Sequence, residues 1–311
     1  IIMTQTPPGT QKIILITGCS SGFGLLMAAR LTAEGHRVIA TMRHLSKKQS
    51  LTEAVARQGH EVDLQMLDVT KPFTIRQVMG HIEKTYGHLD VLINNAGYGL
   101  AGYFEDLDNA EIRAIMETNF FGVMNVTRAA LPLLHKSPKD RRHKAKIINI
   151  SSISGFTAYP CFGAYNQSKW ALEAFSESLM YELRPFNIEV LLVQPGSYRT
   201  EIFYSNRKYA KRFYDPDSRY YRYSAALKNY VDAHLNKNKR DPDEVARLVA
   251  RLVRHPHPPF RTIPDFPSRV LYWLRKFLPF RLYSFLTHTV SRLALKKYAP
   301  APDANPRQTD A

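Results

Sequence analysis

Six short apolar runs, rich in isoleucine and valine, recur along the first two thirds of the chain, each separated from the next by a stretch with helical character. They are KIILIT (12–17), RVIATM (37–42), VDLQML (62–67), LDVLIN (89–94), KIINIS (146–151) and IEVLLV (188–193). A strand with one wet face alternates apolar and polar residues. These runs are nearly continuous, as parallel strands covered on both faces must be. Helical patterns fall near 22–34, 47–57, 73–86 and 110–134, and again from Ala164 onward. Parallel neighbours need a crossover long enough for a helix, and such crossovers are right-handed. The pattern predicts an α/β fold: a doubly wound parallel sheet of about seven strands, with helices on both faces. In such sheets ligands bind beyond the carboxyl ends of the strands, so the residues after each run carry the functional reading.

After the first run stands TGCSSGFG (17–24). Gly18, Gly22 and Gly24 allow a tight turn and a close backbone approach, so that a diphosphate can rest on the helix N-terminus beside Ser20, Ser21 and Phe23. This is the mark of a Rossmann-type dinucleotide site. After the second run Met42 is neutral and Arg43 follows at once. An arginine there can pair with a 2′-phosphate, with Lys47 and Lys48 adding to the field, which favours NADP(H) over NAD(H). Asp68 and Val69 follow the third run, with Asp68 placed to accept from an adenine amino group. NNAG (94–97) follows the fourth. Its asparagines, if buried, need partners and can tie strand ends together, and the segment Asn95, Ala96, Gly97 can pass close to a ribose. Ser151 and Ser152 follow the fifth run, and PGSYRT follows the sixth, with Pro195 and Gly196 forcing a turn and Thr200 placed for a nicotinamide carboxamide.

The segment AYNQSKWALEAF (164–175) reads as a helix in which Tyr165 and Lys169 stand four apart, on one face. Tyr204 and Lys208 repeat the spacing inside a basic, tyrosine-rich stretch, so the spacing alone decides nothing. The order and separation of TGCSSGFG, NNAG, Asn119 within ETNFFG, Ser152, YNQSK and PGSYRT do. Together they resemble the short-chain dehydrogenase/reductase family over about residues 11–255. Within it, the chain is most similar to the 17β-hydroxysteroid and retinol dehydrogenase group and its bacterial relatives.

The resemblance implies a catalytic set of Asn119, Ser152, Tyr165 and Lys169. Tyr165 would be the general acid or base toward the substrate oxygen, and Ser152 would hold that oxygen. Lys169 would bind the nicotinamide ribose and lower the tyrosine's pKa, and Asn119 would hold a water for proton relay. A tyrosine ionises near pH 10, and a neighbouring cation lowers that value. The implied activity is NADP(H)-dependent interconversion of an alcohol and a ketone or aldehyde on a lipophilic, steroid-, retinoid- or lipid-like substrate. Small polar carbonyls are the alternative substrate class. A basic nucleic-acid- or membrane-binding protein with a vestigial cofactor site is the alternative of a different kind.

The net charge of +16 is unevenly spread: residues 1–198 hold 20 basic and 17 acidic side chains, and the rest hold 23 and 10. An anionic neighbour is expected in the last third. No nucleic-acid-binding motif occurs, and no histidine or cysteine spacing suits a metal, so neither partner is expected. Cys19 and Cys161 lie far apart and point to a reducing compartment.

The expected organisation is a disordered lead (1–11), with Met3 as a candidate start and no signal-peptide pattern, then a dinucleotide-binding and catalytic domain (12–264). Within that domain a substrate lid covers about 198–240, its aromatic residues suiting an apolar ligand or packing the lid onto the domain. A capping box on Asp241 and Glu244 should open the helix that follows. An amphipathic basic helical extension (265–299) and a disordered tail (300–311) complete the chain. Residues 267–297 place aromatic, apolar and basic residues on two helices divided by Pro279. They suit a membrane interface, a homodimer or homotetramer contact, or packing on the domain itself. The expected location is cytoplasmic, with peripheral membrane association through this segment.

Overall fold

The computed structural model describes residues 11–138, 144–198, 207–237 and 240–299. The expected sheet is present. In chain order the strands are β1 (Ile13–Ile16), β2 (Arg37–Met42), β3 (Asp63–Met66), β4 (Val91–Asn94), β5 (Gly99–Ala101), β6 (Ala145–Ile150), β7 (Ile188–Val193), β8 (Arg207–Tyr209) and β9 (Arg261–Thr262). Seven form one parallel sheet in the order β3-β2-β1-β4-β6-β7-β9. The chain runs outward from β1 to β3, then returns to β4 on the other side of β1. That reversal opens a crevice at the carboxyl ends of β1 and β4.

The helices are α1 (Gly22–Ala33), α2 (Gln49–Ala56), α3 (Pro72–Tyr86), α4 (Asn109–Met116), α5 (Gly122–Lys136), α6 (Gly163–Leu183), α7 (Tyr221–Lys237), α8 (Asp243–Arg254), α9 (Phe266–Phe277) and α10 (Phe280–Tyr298). Successive strand residues feed opposite layers. Ile14 and Ile16 of β1 pack with Met27 and Leu31 of α1 and Val249 of α8. Leu15 between them packs with Val78 of α3, Val126 of α5 and Leu179 of α6. Both faces are thus buried, which explains the unbroken apolar runs.

Three departures from the sequence reading, and one choice it left open, bear on the site. The helix expected over 110–134 is two α-helices joined by a π-helical turn, Glu117–Phe121, with Asn119 inside it. A π turn inserts one residue into the helical ladder and turns a chosen side chain inward. The stretch after 203, which showed no strand signal, supplies β8, paired in parallel with β5 beside the crevice. No capping box opens α8. The Asp241 side chain accepts from the Asp243 N–H at 2.9 Å, while Glu244 Oε2 accepts from the Tyr198 hydroxyl at 3.1 Å. Of the two roles the sequence leaves open to the lid aromatics, both occur: several pack on the domain, while Tyr230 lines the cavity that holds Tyr165. Tyr220 stacks on Tyr103 at 4.3 Å, and Phe213 is buried against Tyr209. Phe203, Tyr204 and Thr200 lie outside the described residues, as do most of the expected lead and all of the tail.

Candidate active site

The loop after β1 is cut to a backbone-only profile. Gly18 (φ 75°) and Gly22 (φ 56°) occupy the left-handed region. A Cβ on Gly18 would sit 2.8 Å from the Ala96 Cα, and one on Gly24 would sit 2.2 Å from the Gly18 carbonyl oxygen. Ser21 is the extended N-cap residue of α1, whose first turn holds no acidic side chain. The loop thus has the close-packed, backbone-only form that lets an anion approach a helix N-terminus. Phe23 is held edge-on by Tyr198 at 5.6 Å. Cys19 turns inward, donates to the Ile16 carbonyl at 3.3 Å, and has its thiol pushed up to about 12 by burial.

The two asparagines at the end of β4 divide the task expected of them. Asn94 donates to Thr127 Oγ1 at 3.0 Å and to Asn149 Oδ1 at 2.8 Å, locking β4 to β6. Asn95 donates to the Thr17 and Gly18 carbonyls, both at 3.0 Å, and locks β4 to the glycine loop. Thr17 Oγ1 completes the tie by accepting from the N–H groups of Asn95 and Ala96. Thr17 and Asn149 were not singled out from the sequence. Their position at strand ends was the available signal.

Arg43 is exposed at the end of β2, as are Lys47 and Lys48. No hydrogen bond or ion pair to Arg43 occurs among the described residues. Asp68 uses one carboxylate oxygen on the N–H and hydroxyl of Thr70 (2.9 and 2.8 Å), which shapes the turn after β3. Val69 is buried beside Gly122, where a Cβ would meet it at 2.6 Å. These residues, with the glycine loop and Asn95–Gly97, line up along the carboxyl edge of β3-β2-β1-β4, and the shape and donor set fit an adenine dinucleotide.

At the other end of that edge, α6 presents Tyr165 and Lys169. Tyr165 and Ser152 share one cavity, and a hydrogen bond from Ser152 reaches the phenol oxygen. Ser151 instead faces Glu173. Lys169 is buried and donates to the Ile150 carbonyl at 2.9 Å, with its Nζ 5.9 Å from the Tyr165 ring centre. Burial brings the ammonium down to about 8, against the opposing pull of Glu173. Burial also raises the Tyr165 pKa above its ordinary value, and the Ser152 hydrogen bond only partly offsets this. The expected lowering by Lys169 is not seen here, because loss of hydration dominates around the phenol. Asn119 is buried and fully engaged. Its amide donates to the Tyr98 carbonyl at 3.0 Å and to Ser168 Oγ at 3.1 Å, and its oxygen accepts from the Tyr98 N–H at 3.1 Å. The structure does not join its side chain to Lys169; it clamps the β4–β5 connection onto α6.

Pro195 and Gly196 close the site after β7. Gly196 is tucked against α9: its N–H donates to Asp265 Oδ2 at 3.2 Å, and a Cβ there would meet Ser268 Oγ at 2.3 Å. Asp265 was missed from the sequence. It is buried, caps α9 by accepting from the Ser268 N–H at 3.0 Å, and pairs with Arg240 at 3.0 Å. The aspartate shortly before Pro267 and a helical stripe was a legible cap signal.

The cavity holding Ser152 and Tyr165 measures about 790 Å³ and is lined mainly by apolar surface. Its walls come from Tyr103 near β5, from Tyr159 and Phe162 before α6, from Leu227 and Tyr230 of α7, and from α9 and α10. Among the described residues no group of acidic, histidine and cysteine side chains suits a metal, and no helix is long and apolar enough to cross a membrane.

Residues 12–211 match the family described as short chain dehydrogenase. The chain is 38% identical over 260 residues to the 3-ketodihydrosphingosine reductase of Bacteroides thetaiotaomicron, covering 81% of this chain and 87% of that protein. It is 33% identical over 267 residues to human retinol dehydrogenase 8, covering 80% of each. Among solved structures, a short-chain dehydrogenase from Streptomyces avermitilis superposes with a TM-score of 0.73 at 30% identity, covering 91% of this chain and 98% of that one.

Proposed function

Because the chain belongs to the short-chain dehydrogenase family and is an NAD(P)-dependent oxidoreductase of the CH–OH/C=O class, we propose that it uses NADP(H) to interconvert a lipophilic alcohol and its ketone or aldehyde. The observation that carries this reading is the mainly apolar cavity of about 790 Å³ with the Ser152 and Tyr165 hydroxyls in its wall. A lipid-like chain can bury itself there while one oxygen reaches both hydroxyls. The kinship to a ketosphingoid reductase and to a retinol dehydrogenase points the same way, toward the steroid-, retinoid- and lipid-active group.

We assign Gly18, Ser20, Ser21, Gly22, Phe23 and Gly24 to the diphosphate, Arg43 to the 2′-phosphate, and Asp68 with Val69 to the adenine. Asn95, Ala96 and Gly97 would flank a ribose, Lys169 would bind the nicotinamide ribose, and Pro195 with Gly196 would border the nicotinamide. The bound cofactor supplies hydride to a carbonyl carbon, or takes it from a carbinol carbon.

Ser152 would donate to the substrate oxygen and hold it against Tyr165. Tyr165 would give that oxygen its proton during reduction. Burial favours the protonated phenol, which is the form the reductive step uses. Lys169, less basic than an ordinary lysine, can return a proton to Tyr165 at neutral pH. Since the side chain of Asn119 is spent on Tyr98 and Ser168, a relay water would be held by its main-chain carbonyl at the π turn. In this reading residues 12–264 perform the chemistry, and 265–299 cover the substrate and meet a membrane surface.

The test is NADPH consumption by purified protein against a panel running from steroid, retinoid and long-chain ketones and aldehydes to small polar carbonyls, with NADH and Tyr165→Phe as controls. Turnover of the lipophilic members, lost in the variant, is the expected result. Turnover confined to small polar carbonyls would overturn the substrate assignment.

A further inference from the structure

Helices α9 and α10 have two different faces. The inner face belongs to the enzyme: Tyr283 is buried and hydrogen-bonds Thr157, Tyr272 meets Phe156 edge-on at 5.2 Å, and Leu271 and Leu278 line the cavity. The outer face is apolar and uncovered. Phe266 is 70% exposed, Phe277 72%, Phe280 65% and Phe285 65%, with Trp273 and Leu293 beside them. Large contiguous apolar patches on a folded protein mark interaction sites.

Two observations identify the occupant. From Phe266 to Tyr298 the sequence carries seven basic side chains, Arg269 to Lys297, and no carboxylate. A second copy docking through this face would set that positive charge against itself, because a two-fold contact matches a patch with its own image. An anionic lipid surface complements both features: it neutralises the cations and buries the aromatic residues. The second observation is that Leu274, Leu286 and Val290 line the cavity and are also exposed on this outer face. The mouth of the cavity therefore lies within the apolar, basic surface.

We propose that the α9–α10 face docks on an anionic lipid bilayer and that the cavity loads its substrate from that bilayer. The loading step rests on the reading of the cavity as the substrate site. A ketone dissolved in the membrane would pass between Leu274 and Val290 to Tyr165 without crossing water.

The test uses the full chain with vesicles of phosphatidylcholine alone or with about 30% phosphatidylserine, read by co-sedimentation. NADPH consumption is followed with a short water-soluble ketone and with a long-chain ketone embedded in the vesicles. Binding should require the anionic lipid and weaken with salt. The triple variant Lys276→Gln, Arg281→Gln, Arg292→Gln alters exposed side chains outside the cavity. At about fivefold per cation, its vesicle affinity should fall about a hundredfold. Its rate on the soluble ketone should stay at the wild-type level, while its rate on the embedded ketone falls with the binding.

A wild-type protein that reduces the soluble ketone but ignores anionic vesicles overturns the docking and leaves the enzymatic reading standing. One that binds vesicles but reduces neither ketone overturns the enzymatic reading, and the loading with it. Light scattering that shows a dimer, dissociated by Phe277→Ser with Phe285→Ser, would assign the face to a second copy and overturn the proposal.

Discussion

Replacing Gly24 by alanine isolates the cofactor loop from the rest of the molecule. An ideal Cβ at this position would lie 2.2 Å from the Gly18 carbonyl oxygen and 2.5 Å from Asn95 Nδ2. Non-bonded heavy atoms settle at about 3.5 Å, so the start of α1 and the glycine turn must part by about 1 Å. Overpacking of this kind costs about 1–3 kcal/mol. The two bonds from Asn95 to Thr17 and Gly18 are strained at the same time, at about 1 kcal/mol each. Part of this appears as lost stability and part as lost affinity. A main-chain N–H bond to a charged group contributes about 1.5–3 kcal/mol, so displacing even one from the diphosphate weakens NADPH binding about 10- to 150-fold. The assay is a fluorescence titration with NADPH, paired with a urea melt to show that the variant is folded. A folded Gly24→Ala protein that binds NADPH within about threefold of wild type would refute the assignment of this loop to the diphosphate.

Tyr165→Phe should lower ketone reduction by about a hundred- to ten-thousandfold with little change in NADPH affinity, as steady-state rates and titration would show. Arg43→Ala should weaken NADPH by about ten- to a hundredfold and leave NADH unchanged, and an equal loss for both cofactors would remove the case for NADP preference. Asn94→Ala removes two buried hydrogen bonds and strands the Asn149 oxygen, so the urea midpoint should report a loss of about 2–4 kcal/mol. Because burial raises the Tyr165 pKa, the acid form dominates across neutral pH. Reduction should stay flat from about pH 6 to 7 and fall as Lys169 loses its proton near about 8, while alcohol oxidation, which needs the phenolate, should rise with pH.

The apolar runs were legible because most of their strand residues are buried on one face or the other; the edge strand β3, half-buried to exposed and carrying Asp63 and Gln65, is the weakest of them. The strands that escaped notice are the ones without that constraint. β5 and β8 are three residues each and pair only with one another, and Arg207-Lys208-Tyr209 carries no apolar pattern. β9 is a half-buried pair of residues at the sheet edge. The loop motifs of the site were readable because each immediately follows a strand. Their partners were not, since Asn149 meets Asn94 only through the register of β4 and β6. The π turn at Asn119 left no trace in ETNFF, which contains neither proline nor glycine. The lid aromatics were visible, but the direction they face depends on contacts such as Tyr103 with Tyr220, which chain order does not reveal.

Helix α6 shows where sequence reasoning stops. Tyr165, Lys169 and Glu173 are spaced by four and share one face of α6, so their association follows from helical geometry alone. The sign of their influence on one another does not. A lysine near a tyrosine lowers its pKa only if the ammonium is close, charged and less costly than the desolvation around it. Here Lys169 points to the Ile150 carbonyl, its own charge is disfavoured by burial, and Glu173 acts on it from the next turn. Glu173 is in turn held by Gln194 at 3.0 Å and by Arg261 of β9 at 3.4 Å, so the edge strand reaches Lys169 through one carboxylate. The burial that makes the cavity mainly apolar also holds the Tyr165 proton in place, so the two are consequences of one low-dielectric environment.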